Sequence, residues 1–441
     1  MTNILSDFSA WLLPVLIFLM GLLFQAMLVF QMSGLKMNAL TIAPKKFLMT
    51  PFILILGWFC YEVMGSALMH PGENWLIGRH FGIDTSSLWL YKNFMLYLQS
   101  ILPGSIFTSN EITTQPFKWN VLAFHGMLAV WPLLIVINGL AHRNKLPGFG
   151  LVAMGLFMSG ILYPVLGSWS WGDGWLQKLG FHDFLGATVI YSVAGWMTLA
   201  GLLMSKTRTT IGLNSRIDPK TDQTVDQKAG HFNHKLRLLS AHALIFFTWA
   251  AVCLILTLNQ NLLPAHYFLI NDLDTSLPNQ HSLRLLIAAI YLSGIGGGLT
   301  TYVTTRYVLK KSDLLLALSG LLAGPISISA CLDQLILLSL SKMVLITSSL
   351  IVINSILVIG VAVLFEKIVA SDDILKIVPC YLVSGMWGTM ASALFIDNIA
   401  FLPQFIGITT YAVATFIPAL IFFTIIEALL LLGLPTKKPT T

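Results

Sequence analysis

An acidic side chain inside an apolar sequence is the first place to look for chemistry. Asp183 stands at the start of the apolar run 184–205, just after the aromatic and glycine-rich stretch Trp171-Gly172-Asp173-Gly174-Trp175. A carboxylate there can cap the free backbone N–H groups of a helix start. It can also face a pore and help a cation shed water, since an acid buried in a membrane is expensive to keep without a paired or functional role. Trp171 can offer a ring face to a cation. His125 lies within an apolar run, His182 precedes Asp183, and His242 opens another run. A pore role for His125 and a vestibule role for His182 stand against a packed, hydrogen-bonded placement, and His242 reads as interfacial.

Other chemistries find no support. Cys60, Cys253, Cys331 and Cys380 each lie in an apolar segment with no CxxC or Cys/His spacing, so they read as small buried hydrophobes. No phosphate-cradling loop, nucleophile elbow or zinc-ligand set is present. An enzyme is therefore not expected, and neither a cofactor nor a metal is called for.

The chain that must position these residues is built for lipid. Of its 441 residues 56% are hydrophobic and 10% charged, against about 25% charged in an ordinary soluble domain. One core cannot hide that much apolar side chain, so the remainder must face a bilayer. The net charge of +6 is scattered over short loops with no aromatic-interleaved basic patch, so nucleic acid is not an expected partner.

A bilayer core of about 30 Å needs roughly 20 apolar residues per helix. Eleven runs qualify: 11–32, 48–69, 119–141, 149–167, 184–205, 238–258, 284–304, 313–332, 343–365, 377–396 and 404–433. The first lacks a basic leading segment and a cleavage site, so it is expected to be a span and not a removed leader. The eighth contains Pro325, tolerated when neighbours satisfy the carbonyl it frees. With eleven spans the termini lie on opposite sides. One set of loops holds 18 of the 25 Lys and Arg residues and the other holds six, with Lys376 at a helix start. This bias places the C-terminus in the cytoplasm and the N-terminus outside. The external loops 70–118 and 259–283 are expected to cap a pore mouth. The polar segment 206–237 reads as a cytoplasmic linker that divides the chain into five spans and six, a division compatible with an inverted repeat and a central path.

Two stretches give this arrangement a family resemblance. Trp171-Gly172-Asp173-Gly174-Trp175 followed by Asp183-Phe184, Gly186 and Thr188-Val189 resembles the fifth-span signature of the ammonium transporter (Amt/Mep/Rh) family. Asp372, Asp373, Gly385, Trp387 and Gly388 are similar to the tenth-span signature, and Gly320 to Ile328 to the eighth. In that family two pore histidines share a hydrogen bond and pass protons. Here the first falls on Tyr191 and the second on Tyr381, and the tenth-span pattern's third acid on Lys376. Two phenols can hydrogen-bond each other, but with an ordinary pKa of about 10 neither is a ready proton acceptor near neutral pH. The family's two gate phenylalanines fall on Leu128 and Val252, and its outer serine falls near Leu256. A lone Trp171 offers about 0.5–2 kcal/mol to a cation, too little to desolvate ammonium by itself.

The resemblance implies an all-α membrane protein, eleven helices in a 5+5 inverted repeat plus a final long helix. It implies one domain over 1–441, with halves at about 11–205 and 238–433. It also implies a homotrimer in a plasma (bacterial inner) membrane, with a path in each subunit for ammonia, ammonium or a similar small solute. Trp171, Asp183, Tyr191, Tyr381, Leu128, Val252 and His125 are expected to line or shape that path. The alternatives are a non-conducting sensor or scaffold closed by its tyrosine pair, and a channel for a different small uncharged solute. Eight residues follow Gly433, so a regulatory partner of the PII type is not expected.

Overall fold

The structure is a computed structural model that describes residues 15–16, 19, 44–69, 119–140, 148–172, 174–204, 225–258, 280–310, 313–368, 373 and 375–431. The described secondary structure is helical throughout. Helix α1 (Pro44–Cys60) passes through a π-helical turn (Tyr61–Gly65) into α2 (Ser66–Met69). Helix α3 (Trp119–Leu140) follows. Helix α4 (Gly148–Phe157) passes through a second π-turn (Met158–Leu162) into α5 (Tyr163–Trp171), and short α6 (Trp175–Leu179) comes next. A third π-turn (Ala187–Ser192) opens α7 (Val193–Met204), which closes the first half.

The second half holds α8 (Val225–Leu258), α9 (Gln280–Val308), α10 (Leu314–Ser329), short α11 (Leu332–Leu335) and α12 (Leu340–Ile368). A fourth π-turn (Val378–Val383) opens α13 (Ser384–Phe395), and α14 (Phe401–Leu431) ends the described chain.

Seven helical stretches are long and apolar enough to cross a bilayer, and Thr50–Cys60, Gly126–Leu140 and Leu314–Ser329 are shorter apolar helices. These ten coincide with the second to eleventh expected spans. The first, 11–32, lies almost wholly outside the described residues, as do the expected cap segments 70–118 and 259–283, of which only 280–283 are described, as the start of α9. Leu299, Leu345 and Leu402 are each more than 60% exposed on the outside of the bundle. Large aliphatic side chains so displayed suit lipid and not water.

One boundary moves. Residues 225–237, expected to be linker, continue α8 toward its N-terminus. They hold Gln, Lys, Ala, Leu and Arg and no proline, so good helix formers extend the rod past its apolar part. In α10, Asp313 caps the start by accepting a hydrogen bond from Leu316 N at 3.1 Å. Helices α9 and α10 approach backbone to backbone. A methyl group at Gly297 would meet Gly320 O at 2.5 Å and Gly324 Cα at 2.9 Å, so only a bare Cα allows this crossing.

Candidate functional site

The site begins with two aspartates doing the same local work. Asp183 Oδ1 accepts from Ala187 N at 2.7 Å, and its Oδ2 accepts from Thr188 N at 2.8 Å and Val189 N at 2.9 Å. Asp373 Oδ1 accepts from Ile377 N at 2.9 Å and its Oδ2 from Val378 N at 2.8 Å. Each carboxylate thus satisfies the orphan donors of a buried helix start. Three residues after each aspartate the backbone turns left-handed, at Gly186 (φ 78°) and Lys376 (φ 53°). A π-helical turn then follows each. Such turns are rare and concentrate where side chains must be aimed.

Eight residues after each aspartate stands a tyrosine. Tyr191 and Tyr381 are both buried, with ring centroids 6.2 Å apart and planes tilted by 41°. Four residues further on stands a glycine, Gly195 or Gly385. A methyl at Gly195 would meet Leu382 Cβ at 2.5 Å, and one at Gly385 would run into the Ala187 carbonyl and lie 3.0 Å from Ser192 N. Leu382 and Ser192 themselves follow the two tyrosines directly. The fifth and tenth expected spans therefore cross by the same contact read in both directions. Thr188 and Thr389 join them with a hydroxyl–hydroxyl hydrogen bond of 2.7 Å.

Beside the tyrosine pair lies a small cavity of about 20 Å³. Its polar walls are Tyr191, Tyr381, Trp131 and Trp249, and its aliphatic walls are Ile245, Leu322, Pro325 and Ile326. Trp249 Nε1 donates to the Tyr191 hydroxyl oxygen at 2.9 Å. A single water-sized molecule needs about 10–15 Å³, so the cavity has room for about one small molecule.

The other expected path residues take varied places. Asp183 is buried under its three N–H donors. Trp171 is also buried, and its Nε1 donates to the Asp183 carbonyl at 2.8 Å, so its N–H edge braces the loop. Leu128 is half-buried one turn before Trp131 on α3, and Val252 is buried one turn after Trp249 on α8. His125 belongs to α3, but its side chain lies outside the described ones. His242 is buried and its Nδ1 lies 2.8 Å from the Leu238 carbonyl, one turn earlier on the same helix.

His182 lies between two spans and joins the halves: its Nε2 is 3.0 Å from Asp333 Oδ1, and both side chains are buried. Nearby, Phe184 N donates to Ala330 O at 3.1 Å and Leu185 N to Ser329 O at 3.0 Å. Burial pulls the His182 imidazole down, while Asp333 and, behind it, Asp183 push it up, and the net direction is up.

Sequence reasoning did not select Trp131, Trp249 or the aliphatic walls. Their signal is helical spacing: Ile245 and Trp249 are four apart, and Leu322, Pro325 and Ile326 fit one face of α10. Among the described residues no cluster of three or more His, Cys, Asp or Glu could hold a metal ion.

This architecture has known counterparts. A structure described as a Sensor Amt Protein superposes with TM-score 0.70 at 19% identity, covering 97% of this chain and 95% of that one. The crystal structure of Candida albicans Mep2 gives 0.61 at 16% identity, over 95% and 85%. At those identities the likeness is one of fold. In sequence, a protein of Synechocystis sp. whose name marks it as a candidate ammonium transporter is 23% identical over 352 residues, covering 79% of this chain and 67% of the relative. A family model matches at residues 15–225 and 260–438, across both halves and both aspartate–tyrosine segments, and by that match the chain belongs to the Ammonium Transporter Family.

Proposed function

We propose that the protein is a membrane transporter that passes ammonia or ammonium through the cavity between Tyr191 and Tyr381. The observation that carries the reading is this small cavity, set where the two halves present the same tyrosine to each other. The matched pattern of aspartate, left-handed residue, π-turn, tyrosine and glycine supports a single domain over 1–441 built as an inverted repeat. Its halves would run from about 11–205 and 238–433.

Tyr191 and Tyr381 line the path, and Asp183 and Trp171 shape it by fixing the loop ahead of Tyr191. Helices α3 and α8 are the third and sixth crossings and run in opposite directions, so Leu128 and Val252 fall toward the same end of the cavity. That placement supports them as its outer constriction. His125 lies about one turn before Leu128 on α3 and is assigned to the approach. The Lys and Arg bias supports an N-terminus outside and a C-terminus in the cytoplasm, and family membership supports a plasma membrane location and a homotrimer with one path per subunit.

The test is ammonium or methylammonium flux into proteoliposomes. Flux above empty vesicles is expected, and none would remove the reading. A second reading, a non-conducting relative that serves as a sensor or scaffold, is favoured by the Trp249–Tyr191 hydrogen bond beside a cavity with room for about one small molecule. It expects no flux in the wild type and flux gained by Tyr191→His combined with Tyr381→His.

A further inference from the structure

A buried polar pair away from the cavity ties two of its walls together. His182 Nε2 lies 3.0 Å from Asp333 Oδ1, and both side chains are buried. The residue after His182 is Asp183, which caps the π-turn that carries Tyr191. Asp333 belongs to α11, directly beyond α10. Beside the pair the same two segments join backbone to backbone, Phe184 N to Ala330 O and Leu185 N to Ser329 O. Ala330 stands about one turn past Ile326, which lines the cavity. From a third side Gln404 of α14, with its amide turned to suit both ends, accepts from His182 N at 2.8 Å and donates to His182 O at 3.1 Å.

An apolar pair of similar volume would hold these segments at a smaller desolvation cost. Histidine adds a charge that changes near neutral pH. The charged groups facing it are Asp333 from α11 and Asp183 from its own loop, while α14 presents the uncharged Gln404. Cys331, between α10 and α11, lies within electrostatic reach of both aspartates. Protonated, the imidazolium gives Asp333 a charge-assisted hydrogen bond. Neutral, it offers an ordinary one at most, and the buried carboxylate keeps its charge without the imidazolium to balance it. Gln334 Nε2, 2.9 Å from Asp333 Oδ2, is a neutral donor and does not replace that charge.

We propose that His182 and Asp333 form a proton-operated latch that sets the width of the cavity. Closed, it clamps the Asp183 loop onto the end of α10 and keeps the cavity to about one small molecule. Released, it lets the end of α10 draw back, and a larger amine enters. Its effect on solutes rests on passage through this cavity as proposed above. Because the imidazole is raised on balance, the latch is closed below about pH 6.5 and releases as pH rises through the folded value.

Two measurements test the latch, each from about pH 6 to about pH 8.5, a range that brackets the imidazole. The first is hydrogen exchange of the Phe184 and Leu185 amides in detergent, with His182→Gln supplying the rate of an unlatched loop at each pH. Wild type is expected to be protected about tenfold or more over the variant at the acidic end, the factor of one hydrogen bond to a charged group, and to approach it at the alkaline end. A protection ratio constant across the range overturns the latch.

The second is the ratio of methylammonium to ammonium flux in proteoliposomes, with pH equal on both sides and the variant measured alongside so that titration of the amines cancels. The wild-type ratio is expected to rise relative to that of His182→Gln by about threefold or more, part of the tenfold or more that one extra carbon can decide in a tight pocket. Parallel ratios overturn the control of width. Flux of neither amine overturns the passage reading and the control of width with it, and the exchange profile then decides the latch alone. Should His182→Gln not fold, Asp333→Asn, which keeps the shape and removes the charge, takes its place in both measurements.

Discussion

Replacing Asp183 by alanine removes the acceptor of three buried backbone N–H groups at once, those of Ala187, Thr188 and Val189. A hydrogen bond to a charged group contributes about 1.5–3 kcal/mol. One carboxylate bridging three donors does not deliver three full values, because bonds that share a partner are not additive. About half the sum, roughly 3–4 kcal/mol, is the expected loss. Asp373→Ala removes the acceptor of the Ile377 and Val378 N–H groups, and is expected to cost at least about 2 kcal/mol on the same reasoning. Asp183→Asn can keep an oxygen against Thr188 and Val189 while its amide faces Ala187, so its loss lies below that of Asp183→Ala.

The assay heats detergent-solubilised protein and follows the monodisperse peak by size-exclusion chromatography. At a degree or two per kcal/mol for a chain this long, Asp183→Ala should lower the midpoint by about 5 °C. The reasoning fails if Asp183→Ala melts within about a degree of wild type. Should the alanine variant not fold at all, the ranking of Asp183→Asn against wild type still measures the cap.

Three further outcomes are expected. Because the folded-state value of His182 is raised, its stabilisation is full below the unfolded imidazole value of about 6.5 and is lost as pH rises through the folded value. Wild type should therefore lose thermostability from pH 6.5 to alkaline pH relative to His182→Gln, and parallel curves would remove the His182–Asp333 bridge as the cause. Gly195→Ala forces a methyl to 2.5 Å from Leu382 Cβ, and Gly385→Ala forces one into the Ala187 carbonyl. Each should cost about 1–3 kcal/mol as overpacking, read as a lower melting midpoint. Thr188→Val and Thr389→Val should show a coupling of about 1 kcal/mol in a double-mutant cycle, since each removes the same 2.7 Å hydrogen bond.

How much of this was legible follows from the range of each interaction. Spans are set by local composition against a bilayer thickness, and every expected span from the second on coincides with an apolar helix. The α8 boundary was missed because polar helix formers extend a helix beyond the lipid without an apolar signal. The Asp183 cap could be read because a carboxylate finds its donors four to six residues away. The Trp249–Tyr191 bond spans 58 residues and the Thr188–Thr389 bond 201, and nothing local announces either. One long-range relation was nevertheless written in the chain. Asp183, Gly186, Tyr191 and Gly195 recur at a constant offset of 190 as Asp373, Lys376, Tyr381 and Gly385.

That offset makes the indoles the informative departure. Tyr191 and Tyr381 occupy the same place in each half, so a two-fold repeat alone would give them the same chemistry. Helix α3 brings Trp131 to the cavity, while its counterpart in a five-span repeat, α10, brings Leu322, Pro325 and Ile326. Helix α8 brings Trp249, and the counterpart of α8 is the first span. The Trp249 indole donates to Tyr191, the tyrosine of the first half. The two phenols are thus alike in position, while the helices around them bring indoles from α3 and α8 against aliphatic side chains from α10, so the repeat fixes where the pair stands and the flanking helices set the walls of the cavity apart.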